Sequence, residues 1–310
     1  MLNIRKLKRG FQYIVDPDYR FIKNSRYGKY NHLSDEEYLK RRFFACMKKE
    51  LNLENPSTFN EKLQWLKLHD RRPEYTSMVD KLAVKQYVTE KIGKEYIIPT
   101  LGVWDRFADI DFDKLPRQFV LKCTHDSGGL VICKDKSKLD KKKVRKKIEK
   151  SLNRDFFYVG REWPYKNVPK RILAEKYMED TDSTDLRDYK FYCFNGNPEF
   201  LYISESLSDH DKARISFVSM EWEKLHIQRN DYAAFDTLPS RPRNFDLMVK
   251  LCKILSADIP FLRVDLYEID GKIYFGELTF FPGSGFTPLE PEEWDYKLGR
   301  LLNLSTEKNN

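Results

Sequence analysis

FLRVDLYEIDGKIYFGELTFFPGSGF, residues 261–286, sets two runs rich in Val, Leu, Ile and aromatic residues on either side of Asp270-Gly271. The runs read as a β-hairpin. Arg263, Asp265 and Glu277 nevertheless fall inside them, and an unpaired charge in a buried strand is costly. Sidedness depends on the turn. A three-residue connection with Gly271 in the left-handed region puts Arg263, Asp265, Glu277 and Thr279 on one face, with Val264 and Leu266 packed behind, whereas a two-residue turn sends Glu277 to the opposite face. Two carboxylates on one surface repel unless a cation lies between them, and Mg²⁺ takes such oxygen ligands while bridging to nucleotide phosphates. On the residues alone, a surface hairpin with an Arg–carboxylate pair stands level with that reading.

Working outward, DYKFYCFNGNPEFLYISES reads as a second hairpin around Asn195-Gly196, and NFDLMVKLCKILS as a helix leading into the first. FVLKC (119–123) and VICKD (131–135) flank the loop THDSGGL, a hairpin-like unit in which Lys122 is a charge inside an apolar strand. Gly128 and Gly129 can bring backbone N–H groups close to phosphate oxygens, although the spacing is not that of a Walker A loop and, taken alone, the pair is better read as an ordinary hairpin loop. RILAEKYM reads as a strand over 171–178 in which Glu175 ends the apolar run, with acidic residues beyond it. Toward the N-terminus the period turns helical. SDEEYLKRRFFACMKKEL opens with the capping box Ser34/Glu37, TFNEKLQWLKLHD with Thr58/Glu61, and VDKLAVKQYVTEKIG closes at Gly93.

The chain has 310 residues, 34% charged, 41% hydrophobic and 14% aromatic, a globular composition with enough length for one large or two modest domains. Lys and Arg exceed Asp and Glu by 56 to 48, a formal +8. Much of that excess sits in KLDKKKVRKKIEKSLNR and in the leading MLNIRKLKRG; the helix at 140–153 reads as a solvated face, and a nucleic-acid partner is not expected. Cysteines 46, 123, 133, 193 and 252 include no C-x-x-C pair, which argues against a disulfide framework or zinc site and fits a cytoplasmic protein. No apolar run is long enough to span a membrane; the basic, aromatic N-terminus is compatible with peripheral contact with the membrane's inner face. Among the histidines, His125 alone sits near a candidate site.

Taken in order, Asp80-Lys81, Lys122 with Gly128-Gly129, the E-K-Y-M strand end, R-x-D at 263–265 and E-x-T-x-x-P-G at 277–283 resemble the ATP-grasp superfamily. NPSTFNEKLQW, FVLKCTHDSGG, DYKFYCFNGNP and RVDLY with YFGELTFFPGSG are similar to the TupA-like ATP-grasp family, associated with teichuronopeptide and capsular polysaccharide synthesis, over about residues 35–300. The resemblance implies an α+β ATP-grasp fold: a helical extension at 1–78, a first subdomain with a Gly-rich lid at 79–178, and a second with the metal-binding hairpin at 179–310. It implies that Lys81 and Lys122 contact ATP phosphates, Ser127, Gly128 and Gly129 close over them, Glu175, Lys176, Tyr177 and Met178 bound the adenine pocket, and Asp182 meets the ribose. Asp188 and Lys190 then face nucleotide or substrate, Arg263 stabilises the transferring phosphoryl group, and Asp265 and Glu277 hold Mg²⁺, with Thr279 where the superfamily often has Asn.

The chemistry so implied is activation of a carboxylate as an acylphosphate by ATP and its capture by an amine, with a saccharide acid such as a uronic acid unit as the acceptor. A phosphotransferase shares the same ATP site and differs in the acceptor. A glycosyltransferase is favoured only by recurrent D-x-D tripeptides, and a non-enzymatic polysaccharide-binding module leaves Lys122, Asp265 and Glu277 unexplained. Arg214, Arg229 and Arg241 to Arg243 are candidates to meet an anionic substrate.

Overall fold

Two antiparallel sheets carry the charged strands. In the computed structural model, which describes residues 2–181, 186–206, 213–228 and 232–304, the chain is α+β. Helices α1 (Leu2–Val15), α2 (Pro17–Ser25), α3 (Asp35–Met47), α4 (Phe59–His69), α5 (Glu74–Val79) and α6 (Val84–Ile92) come before any strand. Both capping boxes form: the Ser34 and Thr58 hydroxyls accept from the N–H of Glu37 and Glu61, whose carboxylates reach back to the cap N–H groups. The helix expected over 79–93 is shorter. Asp80 has extended φ/ψ and ends α5, so Lys81 sits on a connecting turn with its N–H donating to Thr124 O.

The first sheet runs β1 (Thr100–Trp104), β4 (Ile172–Lys176), β2 (Phe119–Cys123), β3 (Leu130–Cys133) in spatial order. The strand expected to reach residue 178 stops at Lys176. Helix α7 (Lys141–Leu152) packs Val144 and Ile148 into that sheet's core, beside Phe119, Leu121 and Ile172. Its N-terminal lysines stay exposed, as the solvated-face reading expects. A one-turn helix, α8 (Phe157–Gly160), follows.

The second sheet runs β7 (Arg214–Ser219), β6 (Asn197–Glu205), β5 (Asp188–Phe194), β8 (Phe261–Ile269), β9 (Lys272–Thr279). Its core takes in α9 (Phe245–Leu255) through Met248 and Cys252, and α4 through Phe59 and Leu63. Residues from Phe21 to Leu51, with Phe286, form a cluster of their own. Helix α10 (Glu293–Leu301) packs on α4, where a Cβ on Gly299 would stand 2.2 Å from Ser57 O.

The β5–β6 turn is the expected Asn195-Gly196, with φ of 49° and 81°. The β8–β9 turn corrects the three-residue expectation. Ile269 pairs with Lys272 across a two-residue Asp270-Gly271 turn with φ of 48° and 71°, the form that suits strand twist. Regular pairing from that turn would put Glu277 on the face of Val264. A β-bulge intervenes: Leu266 pairs with Phe275 and Asp265 with Glu277, leaving Gly276 as the extra residue. The bulge rotates the strand by one position and returns Glu277 to the face of Asp265, with Thr279 opposite Arg263. A Cβ on Gly276 would lie 3.0 Å from both Asp265 O and Tyr267 Cε2. Gly276→Val is therefore expected to lower stability by about 1–3 kcal/mol, read by chemical denaturation. An unchanged midpoint would show that the bulge does not need the small residue.

Candidate functional site

On the second sheet the charged face is built from register partners. Lys190 on β5 lies opposite Asp265 on β8, and its ammonium donates to Asp265 Oδ2 at 2.5 Å. Arg263 reaches Asp265 Oδ1 through Nε at 2.6 Å, Asp265 Oδ2 through Nη2 at 2.7 Å and Glu277 Oε1 through Nη2 at 2.9 Å. Asp265 has no exposed surface. Burial alone would raise its carboxyl pKa, but the charges of Arg263 and Lys190 outweigh burial and hold it below the usual carboxylate range. Burial likewise opposes the Lys190 charge, and Asp188 and Asp265 reverse that, keeping the amine well above the usual lysine range. Asp188 is pushed up by burial, with Lys190 opposing, and its Oδ1 is buried without a hydrogen-bond partner.

The first sheet contributes a second cluster. Glu175, expected to bound the adenine pocket, has Oε1 2.5 Å from Lys85 Nζ and Oε2 2.5 Å from Lys122 Nζ. Burial works against its charge, yet Lys122 and Lys85 keep it below the ordinary range. Lys85 lay hidden in the sequence as one more helix lysine, since nothing local marks it as the partner of a strand carboxylate. Lys81 donates to Asp126 O, and burial lowers its pKa, with Glu277 and Asp126 opposing.

A cavity of about 340 Å³ separates the two clusters, lined by Lys81, Lys85, Lys122 and Glu175 on one side and Asp188, Lys190, Tyr267 and Glu277 on the other. Ser127 and Gly129 also border it. Gly129 answers a close approach, since a Cβ there would stand 2.5 Å from Cys123 Sγ, and its N–H donates to Asp126 Oδ1 at 3.0 Å. Lys176, Tyr177 and Met178 follow Glu175 but do not line this cavity. Asp182 and Arg229 lie outside the described residues. His125 ties the loop to α7, its Nε2 lying 3.1 Å from Ser151 O and 3.2 Å from Arg154 O.

A larger cavity of about 890 Å³ shares Lys81, Ser127 and Glu277 with the first and continues past Arg263, Thr279 and Ser284. Its floor is the end of the opening stretch, where Gly283, Ser284 and Gly285 all have positive φ. The wholly buried Lys67 braces that turn, donating to Ser284 O at 2.7 Å and to Gln64 Oε1 and Gly160 O at 2.8 Å. Burial pulls its pKa down to about 7, with Glu162 opposing. Arg241 is paired with Asp246 away from both cavities, and neither Arg214 nor Arg243 lines them.

The arrangement bears on which groups the site can hold. Lys81 and Lys122 both line the smaller cavity, and two lysines there are of the sign that suits a polyphosphate. A metal ion fits less well than expected. Arg263 Nη2 occupies the position between Asp265 and Glu277, both Asp265 oxygens are engaged, and Thr279 Oγ1 donates to Glu277 Oε1 at 3.4 Å. Asp265 and Thr279 are thus not presented to a metal, and no cluster of three or more His, Cys, Asp or Glu ligands occurs among the described residues. Glu277, whose side chain is 46% exposed, is the carboxylate of the pair that remains open to one.

Asp265→Asn would leave Arg263 and Lys190 buried beside a neutral amide. A loss of about 3–5 kcal/mol is expected, against about 0.5 kcal/mol or less for Glu277→Gln at its more exposed position. Because the Asp265 pKa is depressed on folding, its contribution is present above the ordinary value of 3.8 and is lost as pH falls through the lower folded value. Denaturation midpoints measured against pH should therefore show a flatter acid limb in Asp265→Asn than in the wild type; parallel limbs would contradict the pairing.

The model of the family described as TupA-like ATPgrasp matches residues 61–303. No curated protein matches the chain. Among solved structures it is similar to D-alanine–D-alanine ligase from Bacillus anthracis complexed with ATP, at 17% identity and a TM-score of 0.38 over 66% of this chain and 55% of that one. D-alanine–D-alanine ligase from Helicobacter pylori gives 16% identity and a TM-score of 0.39 over 79% and 68%. Phosphoribosylamine–glycine ligase from Thermotoga maritima gives 13% and 0.38 over 66% and 48%. The chain thus spans about half the length of two of these three.

Proposed function

Because the chain belongs to the TupA-like ATP-grasp family, matched over residues 61–303, we propose that it is an ATP-dependent carboxylate–amine ligase. The observation that carries the reading is the meeting of Lys81 and Lys122 with Asp188, Lys190 and Glu277 across one cavity between two antiparallel sheets. In this reading residues 79–178 form one jaw and 179–310 the other, with the nucleotide between them. Lys81 and Lys122 hold its phosphates, and Ser127 to Gly129 cover them.

A carboxylate oxygen of the acceptor attacks the γ-phosphorus, the bond from that phosphorus to the β,γ-bridging oxygen breaks, and ADP leaves. Arg263, fixed by Asp265, faces the larger cavity where negative charge gathers on the moving phosphoryl group. Preorganised charge of this kind accounts for most of the acceleration in phosphoryl transfer. Magnesium carried by the nucleotide would supply further neutralisation, with Glu277 as its protein ligand. The amine nitrogen then attacks the acyl carbon, the C–O bond to phosphate breaks, and the amine proton passes to solvent or phosphate. The saccharide nature of the acid, such as a uronic acid unit in surface polysaccharide synthesis, is supported by the family resemblance.

Helix α1 leaves Phe11, Ile14 and Val15 exposed at 68%, 72% and 55% beside Arg9, and no helix among the described residues is long and apolar enough to cross a membrane. This supports a place against an anionic membrane surface. Co-sedimentation with vesicles containing phosphatidylglycerol should fall when residues 2–15 are removed; undiminished binding would exclude α1 as the contact.

Hydroxylamine supplied with ATP, Mg²⁺ and an acceptor acid should trap a hydroxamate, since an acylphosphate is open to small nucleophilic amines. Lys122→Ala should reduce the yield about 10²-fold or more. A stable phosphorylated sugar that is inert to hydroxylamine would instead assign the site to a phosphotransferase.

A further inference from the structure

The far wall of the larger cavity comes from the N-terminal helices and from the segment after α7, and it holds Arg26, Arg42 and Arg154. Helix α2 ends at Ser25 with Arg26 as its C-cap, and Arg26, Tyr27 and Gly28, the last at φ 79°, line the cavity. Other guanidinium groups of this chain meet carboxylates: Arg161 meets Asp35 at 3.0 Å, Arg171 meets Asp80 at 2.9 Å and Arg263 meets Asp265 at 2.6 Å. These three arginines have no such partner among the described residues.

Arg42 is 8% exposed, donates to the Tyr38 hydroxyl at 2.8 Å and lies over the Phe286 ring at 4.9 Å. Arg154 lies over Phe156 at 5.6 Å. The Nε atoms of both are buried without a hydrogen-bond partner, as are those of Arg161 and Arg171, so what sets the wall arginines apart is the missing carboxylate. Burial lowers the Arg154 pKa; Asp126 opposes this and the charges of Arg26 and Arg42 add to it, so Arg154 lies close enough to both to feel them. Three carboxylates line this cavity: Asp155 pairs with Lys170, Glu277 with Arg263, and Glu162, which accepts from the Ser284 hydroxyl, feels the Arg42 charge without pairing to it.

Like charges gathered in a cleft with donors left unpaired are unfavourable unless an anion joins them. We infer that this wall is an anion subsite of the acceptor, in which Arg26, Arg42 and Arg154 hold a carboxylate or phosphate group other than the carboxylate that reacts beside Lys81 and Arg263. The acceptor class is therefore an acid with at least two anionic groups. Tyr27, Phe156 and Tyr158 line the same cavity and supply aromatic surface for the body that joins them. This assignment rests on the ligase reading for the location of the reacting end. Its cations at positions 26 and 42 precede the matched residues 61–303, so it concerns a part of the chain the family match does not reach.

Titration calorimetry with trigalacturonate, galacturonate 1-phosphate and neutral trigalactose tests it. The wild type should bind at least one of the two acids and bind trigalactose far more weakly. Arg26→Ala and Arg154→Gln should each weaken the acid about tenfold or more while leaving Mg-ATP affinity within about twofold; both avoid the buried Arg42, whose loss endangers folding. Preference for trigalacturonate assigns a carboxylate to the subsite, and preference for galacturonate 1-phosphate assigns a phosphate. Acids that bind no better than trigalactose, variants that bind them like the wild type, or a parallel loss of Mg-ATP affinity would each overturn the subsite. Acid binding that is lost in the variants, in a wild type that forms no hydroxamate, would leave the subsite standing and remove the ligase reading instead.

Discussion

The buried ion group of Arg263, Asp265 and Lys190 is the constraint on which the second sheet and the cleft depend. Desolvating three charges costs several kcal/mol per ion, and only close mutual pairing offsets it. Lys190 and Asp265 are direct register partners on β5 and β8, so a slip of one residue would set Lys190 against Val264 or Leu266 and strand its buried ammonium, while Arg263 and Asp265 would stay paired within β8. The pairing thus specifies register as well as charge. It also leaves one guanidinium nitrogen shared with Glu277, which brings that carboxylate to the edge of both cavities.

Features encoded within a few residues were legible in the sequence. Asn195-Gly196 and Asp270-Gly271 mark their hairpins because both positions need positive φ, and Ser34/Glu37 and Thr58/Glu61 mark helix starts because each box is closed within four residues. The convergence of Arg263, Asp265 and Glu277 was foreseen with the wrong geometry: a two-residue turn and a bulge at Gly276 together place them where a three-residue turn alone would have done. Such a bulge has no local signature beyond a glycine in a strand. Partnerships that cross the fold were not legible. Glu175 looks like a strand end until Lys85 and Lys122 are seen to share its carboxylate, and Asp80 breaks a helical pattern that runs unbroken on the page. Arg26, Arg42 and Arg154 are scattered through basic, helical-looking stretches, and only folding shows that they face one space.

The cations of the cleft fall into two physical kinds. Lys122, Lys190 and Arg263 are each tied to a carboxylate, so their positions are set before any ligand arrives and little reorganisation remains to be done. Lys81, with a backbone carbonyl as its partner, and the three wall arginines keep charge in hand for a ligand. Both kinds border the larger cavity, where a chain of anionic groups would meet fixed donors at one end and uncommitted ones at the other.

Arg161 determines how that cleft can open. At φ 54° and 3% exposed, it bonds the carboxylate of Asp35 and the carbonyls of Tyr30 and Leu33, while the Tyr38 hydroxyl donates to Val159 O. Swinging the N-terminal helices aside would strand a buried guanidinium, so that wall behaves as a fixed abutment. The smaller cavity is bordered differently, by Leu130 on the edge strand β3, where Leu130 and Ile132 face solvent at 41% and 44%. The wall that carries the three arginines is tied down by buried polar contacts, so a ligand meets it with its shape already set.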